Sequence, residues 1–194
     1  MVMGDGGEVE GNAGGSLPLT DLTSPLVLAL HEYWTRLRGT RKWPRKSDFD
    51  PAEVRKLLPY LTLEEIHRDP LRVRFRLVGT EQARFAALDY TGRWLHELPW
   101  HPTIIQDLLG HYRRLLALGA PLFGASRYAW SDGFEKAFEW GLFPLSKDGT
   151  DIDHVISIED FSMIDRDRLA RLLERQDRLH ARPMAGGKDR PAFF

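Results

Sequence analysis

Histidine spacing offers the first candidate chemistry in this chain. His96 and His101 stand five residues apart in HELPWH, with Pro99 between them. A helical zinc motif needs histidines four apart so that both project from one face, and an intervening proline works against a continuous helix. No third ligand is evident, so the segment reads as a surface turn entering a helix. His31, beside Glu32, has no second histidine at helical spacing and reads as structural. His154 falls on the same alternate set as Ile152, Ile156 and Ile158. From an apolar sheet face it could ligate a haem, while the plainer reading is a satisfied core histidine.

Carboxylates crowd the second half of the chain: Asp132, Glu135, Glu139, Asp151, Asp153, Glu159 and Asp160. Acid–base catalysis needs two such groups converging with displaced pKa values. At turns and strand ends their default state is solvated. Neighbouring strand residues point to opposite faces, which makes Asp153 a poor partner for His154. Ser126, Ser131 and Ser157 lack a nucleophile-elbow setting, and the VGT at 78–80 is not a phosphate-cradling glycine loop. The chain has no cysteine, which removes disulfides, thiolate metal sites and cysteine nucleophiles. No catalytic or metal-ligating residue is assigned, and the chain reads as a non-enzyme.

Aromatic residues are more informative. Phe75, Phe85, Tyr90, Trp94, Tyr112, Phe123, Tyr128, Phe138 and Trp140 could converge on the inner face of a sheet. An aromatic pocket with a few polar groups suits a flat small molecule, although aromatics at such spacings usually form packed core. Phe75, Tyr112, Tyr128 and Trp140, with His154, are the candidate ligand-binding residues. Arg72, Arg74 and Arg76 form a basic row on one strand face, which ordinarily serves solubility and edge protection.

The elements that must position these residues follow from patterning. Across 194 residues the chain is 42% apolar and 28% charged, with 27 basic and 28 acidic residues and a formal charge of -1. This is one ordinary globular domain with no field drawing it to nucleic acid or membrane. Ser24 and Pro25 open a helix that Gly39 closes, and Asp50-Pro51 opens a second that Pro59 stops. LTLEEIH and RVRFRLVG form a hairpin about Arg68-Asp69-Pro70, followed by a short helix in TEQARFAAL. A longer helix covers about Thr103 to Leu118. Strands in PLFGASRYAW, KAFEWGLFPLS and DIDHVISIEDF are joined by turns at Ser131-Asp132-Gly133 and Lys147-Asp148-Gly149. Leu169, Leu172, Leu173, Gln176 and Leu179 line one face of a last helix, a surface for a partner or for the chain's own sheet. Segregated runs of this kind argue an α+β fold with one antiparallel sheet covered on one face.

The phrases YWTRLRG, DFDPAEVRKLLPYLTLEEI, PLRVRFRLVGTE and LDYTGRWLHEL occur in the order that resembles a bacterial PAS-like family formerly catalogued as a domain of unknown function. The resemblance covers about residues 30 to 161, and RFRLVGT and YTGRW are its strongest words. It implies a PAS-like five-stranded antiparallel sheet with helices on one face, extra N-terminal helices and a C-terminal amphipathic helix. The expected organisation is a disordered leader over 1–23, the PAS-like domain over 24–161, the C-terminal helix over 162–180 and a flexible tail over 181–194. A sensory or regulatory role is implied, in which the domain binds a small molecule or relays a signal through flanking helices to a protein partner or a second copy. The alternatives are a small cone-shaped α+β isomerase or hydrolase, and an interaction module with a filled core. No cofactor is specified. Neither nucleic acid nor membrane is expected as a partner, and the absence of a signal or spanning segment reads as cytoplasmic.

Overall fold

The computed structural model describes residues 16–129, 135–162 and 165–180. Helix α1 runs Pro25–Arg38, with Ser24 Oγ accepting the Val27 N–H and Gly39 leaving the helix at φ 54°. The hairpin strands are β1 (Leu61–Arg68) and β2 (Leu71–Val78), followed by α2 (Thr80–Ala86) and α3 (Pro102–Leu118). Strands β3 (Leu122–Ala129), β4 (Glu135–Leu145) and β5 (His154–Asp160) complete the sheet, and α4 spans Arg166–His180. The sheet has the order β2-β1-β5-β4-β3 with every neighbouring pair antiparallel. The expected α+β class and five-stranded sheet are therefore present. No helix among the described residues is long and apolar enough to cross a membrane.

Two expectations change. The segment after Asp50 is not a helix but successive tight turns ending in a 3-10 turn at Leu58–Tyr60. Asp50 Oδ1 accepts the Ala52 N–H two residues on, and Glu53 and Val54 bond back three residues, to Asp50 and Pro51. Between Pro51 and Pro59 too few residues remain to repay helix nucleation. The other change concerns the leader. Most of it, like the tail over 181–194 and the turn at Ser131-Asp132-Gly133, lies outside the described residues. Its last part is packed, with Leu17 and Leu22 buried and the Leu17 N–H donating to the Phe123 carbonyl at 2.8 Å.

Both faces of β4 and β5 are largely buried, and each has its own cover. Residues Phe138, Leu142, Ser157 and Glu159 face the α2–α3 side. On the other face, Trp34 of α1 packs by Phe143 and donates from Nε1 to the Pro144 carbonyl at 2.8 Å. His31 also lies on this face, 5.7 Å from Phe123 and 6.2 Å from Phe143 between ring centroids, which bears out its structural reading.

The sheet edges are covered too. Along β2, Phe75 exchanges hydrogen bonds with Gly92 and Arg93. Along β3, Phe123 bonds to Ser16 and Leu17, and Ala125 bonds to Gln176 of α4. The Gln176 amide is fully buried: Oε1 accepts the Ala125 N–H at 3.0 Å and Nε2 donates to its carbonyl at 3.2 Å. It behaves as one rung of a sixth strand. Close approach there requires Gly124, since a Cβ would sit 2.2 Å from Trp140 and 2.7 Å from Gln176 Oε1.

A buried polar junction ties α1 and α4 to β4. Glu139 Oε2 accepts the backbone N–H groups of Thr23 and Ser24 at 2.8 and 2.7 Å, and Arg168 of α4 pairs with Oε1 at 2.6 Å. Ser24 Oγ donates to Asp160 Oδ2 at 2.6 Å. Glu139 and Asp160 are thus buried structural carboxylates, and solvation is not their state.

Replacing Gln176 by Ala strands two backbone groups, and an unsatisfied buried group costs roughly 1–3 kcal/mol. The urea midpoint of Gln176→Ala is expected to fall by a corresponding amount, while Arg171→Ala on the exposed side of α4 leaves it unchanged. Equal midpoints for the two variants would mean that α4 is not docked on β3 in solution.

Candidate functional site

Between the sheet and α2–α3 lies a cavity of about 80 Å³. β1 contributes Thr62 and Glu64, β2 Phe75, β4 Phe138 and Leu142, and β5 Ser157 and Glu159. Period-2 alternation and register bring these side chains to one face. Thr62 stands opposite Ser157, and Glu64 opposite Phe75 and Val155. The roof comes from Gln82, Phe85 and Ala86 of α2, from Tyr90 and Trp100 in the connection, and from Ile104, Leu108 and Tyr112 of α3.

One wall is aromatic. Phe75 and Tyr90 meet edge to face at 4.7 Å, Trp100 lies 5.2 Å from Tyr90, and Phe85 lies 5.6 Å from Phe138. The sheet floor between Phe75 and Phe138, on β1 and β5, is polar and acidic. Glu64 is fully buried, and its Oε1 accepts from Ser157 Oγ at 2.6 Å and from Thr62 Oγ1. Thr62 and Ser157 are also bonded to each other. Glu64 Oε1, Ser157 Oγ and Thr62 Oγ1 thus form one mutually bonded polar cluster.

Burial pushes the Glu64 carboxyl up to about 7, against hydrogen bonds from Ser157, Thr62 and Tyr112 that favour the charged form. Glu159 is pushed up to about 8, first by burial and then by the charge of Glu64. Its remaining exposed surface opens onto the cavity. Burial also raises the Tyr90 and Tyr112 hydroxyls well above their ordinary value and keeps them neutral. Among the described residues no Lys, Arg or His lines this cavity. Two buried polar atoms on its walls have no hydrogen-bond partner: Glu64 Oε2 and Trp100 Nε1.

The structure brings together two of the five residues anticipated from sequence, Phe75 and Tyr112. Trp140 has the right strand parity, but its indole turns aside, stacks on His111 at 4.4 Å and donates to Ser126 Oγ at 2.9 Å. There it bounds a smaller adjoining void that Glu159 shares. The Tyr128 side chain lies outside the described residues. His154 belongs to the alternate set of Ile156 and Ile158, which faces away from the cavity and toward α1. Its Nδ1 is 2.7 Å from Asp153 Oδ1, a pairing that strict alternation had disfavoured. Asp153 precedes the strand, so alternation does not govern it, and its carboxylate also accepts the Lys147 N–H at 3.0 Å.

The other candidates also find places. Trp94 stacks under Arg72 at 3.9 Å, and Arg76 approaches Glu65 at 3.8 Å, so part of the arginine row is engaged locally. His101 Nδ1 accepts the Thr103 N–H at the start of α3, a capping role. Among the described residues no group of three or more His, Cys, Asp or Glu could hold a metal ion. Sequence reasoning missed Glu64 and misassigned Glu159 to solvent. The available signal was parity: Thr62, Glu64 and Ile66 share one alternate set, as do Ser157 and Glu159.

The two carboxyls carry a stability signature. Each titrates near 4.5 when unperturbed, and at about 7 and about 8 in the fold. Between those values the native state holds more protons than the unfolded chain, so stability falls as pH rises. The contribution is complete below about 4.5 and is lost as pH climbs through about 7 and then about 8. Urea unfolding across this window should show the decline in wild type and a flatter profile in the Glu64→Gln/Glu159→Gln double variant. Parallel profiles would mean that both carboxyls are already charged in the native cavity.

A family model described as PAS domain matches residues 22–155. No curated protein matches the sequence. Among solved structures, VqmA bound to DPO is 18% identical, with 56% of this chain and 56% of that chain covered at a TM-score of 0.44. This match therefore spans little more than half of the VqmA chain. An RNA-binding light-oxygen-voltage receptor is 17% identical over 84% of this chain and 42% of that one, with a TM-score of 0.46. A Rhodobacter sphaeroides LOV protein is 12% identical over 68% and 96%, with a TM-score of 0.38. Overlaps this loose say nothing about ligand or partner. The matched model covers most of the chain, and its residues build the observed sheet, so the chain belongs to the PAS domain family.

Proposed function

We propose that this protein is a sensory module that takes up a compact small molecule between its sheet and α2–α3, and signals occupancy through its flanking helices. The observation that carries this reading is the cavity itself, which combines aromatic rings with two carboxyls and is left with unpartnered buried polar atoms. Native interiors satisfy almost every buried polar group, so such atoms call for an explanation. At about 80 Å³ the space accepts a single small ring more readily than a flavin or a haem. The candidate ligand residues are accordingly Glu64, Phe75, Tyr90, Trp100, Tyr112 and Glu159.

A relay to α4 has a physical route. Phe85, on the cavity wall, stacks on Phe161 at 3.9 Å, and Phe161 follows β5 on the way to α4. Phe138, also on the wall, precedes Glu139, which pairs with Arg168 of α4. As docked, α4 presents charged residues such as Arg171, Glu174 and Arg178 outward, while Leu169 and Leu172 are buried. A protein partner or second copy would therefore meet the charged face, or would meet the leucines after α4 is released. A cytoplasmic setting belongs to the same reading.

The test is a thermal-shift screen of small metabolites on wild type and on Ala86→Phe, which fills the cavity from α2. A ligand present at a hundred times its Kd adds roughly 2.7 kcal/mol to the stability of the form it binds. Hits are expected to stabilise wild type alone and to change amide exchange over residues 166–180. A screen without hits, or hits that stabilise Ala86→Phe equally, would overturn the cavity as the sensing site. Unchanged exchange in α4 would remove that helix as the output.

A further inference from the structure

We infer that the cavity is built for a small planar nitrogenous cation, an amidinium-like or protonated N-heteroaromatic group whose N–H donors meet Glu64 and Glu159 while its ring faces the aromatic wall. This deepens the sensing reading above and rests on it. Four features select the class. Two carboxyls line the cavity, and among the described residues no cationic side chain lines it to answer them. Glu64 is fully buried, and its Oε2 lies outside the hydrogen bonds that Thr62 and Ser157 make with Oε1. Phe75, Tyr90 and Trp100 offer faces and edges to a flat cation, and such contacts strengthen on desolvation. An anionic ligand would find no Lys, Arg or His among the described lining residues to pair with, and a purely apolar one would leave the buried carboxyl oxygens unmet.

Binding of a cation carries a proton count. Without ligand burial favours the protonated carboxyls, and a bound cation favours their charged forms. Protons must therefore leave the protein as the ligand enters near neutral pH. The titratable groups around the site are Glu64 on β1, Glu159 on β5, Tyr90 in the connection and Tyr112 on α3. His111 of α3 approaches from the adjoining void. β2, β4 and α2 line the cavity with Phe75, Phe138, Leu142, Gln82, Phe85 and Ala86, none of which titrates.

The experiment uses three probes of nearly equal shape and different charge: benzamidine, benzamide and benzoate. Calorimetric titration into the full chain should find benzamidine at least about tenfold tighter than benzamide, as a charge-assisted bond requires, and no binding of benzoate. Glu64→Gln and Glu159→Gln should each cost benzamidine more affinity than benzamide and narrow the gap between the two probes. In wild type, the heat of benzamidine binding should vary with the ionisation enthalpy of the buffer in the direction of proton release. This last measurement needs no variant and stands even if a substitution impairs folding. Benzoate binding, equal affinities for benzamidine and benzamide, or no proton release would each overturn the cationic assignment. Failure of all three probes to bind would overturn it as well. If an uncharged or anionic metabolite still stabilises wild type but not Ala86→Phe, the sensing cavity stands and only the ligand class falls.

Discussion

A sheet with apolar side chains on both faces and open along both edges must be covered on four sides before it is stable in water. Most of this chain's architecture answers that requirement. Trp34 and its neighbours on α1 seal the outer face, and the turn at Gly92–Arg93 bonds along β2. Leu17 and Gln176 close β3. An open edge is a template for pairing with other chains. Coverage by segments far apart in sequence makes the N-terminal residues and α4 parts of the fold and not appendages to it. Glu139 then locks two of these covers together, accepting N–H groups at the start of α1 and the guanidinium of Arg168.

The fourth side is covered differently. The roof from α2 to α3 meets the sheet through large rings and a polar strip, and the packing leaves a cavity. Placing Glu64 and Glu159 there runs against the desolvation cost of a carboxylate, and the fold meets that cost by holding protons on the carboxyls. Thr62 and Ser157, facing each other across the β1–β5 pair, complete a hydrogen-bonded ring with Glu64. A site whose polar groups are half satisfied is a poor way to build a core and a reasonable way to hold a ligand. Its aromatic wall reaches Phe161 and so comes within one side chain of the segment leading to α4.

Element type and order were readable because they depend on local rules. Ser24 and Pro25 start α1, Gly39 and Gly119 end α1 and α3 with positive φ, and alternation in RVRFRLVG marks β2. The turn region after Asp50 escaped this reading because a local Asx turn and two prolines outweighed its helical spacing. The site was half readable. Phe75 and Tyr112 were found by spacing, whereas Trp140 and His154 had plausible spacing and the wrong surroundings.

By itself the sequence determined the PAS order of elements, the absence of thiol chemistry and the parity of each strand. Parity divides a strand's residues into two sets without saying which set faces the cavity. That choice was made by tertiary structure, through the β1–β5 register and the placement of α1 on the opposite face. Glu64 and Glu159 therefore look like ordinary solvated carboxylates in one dimension. They become a buried, proton-holding pair only when two strands nearly a hundred residues apart lie side by side. Burial, which controls both pKa and unmet hydrogen bonds, belongs to the assembled sheet and roof and to no single segment.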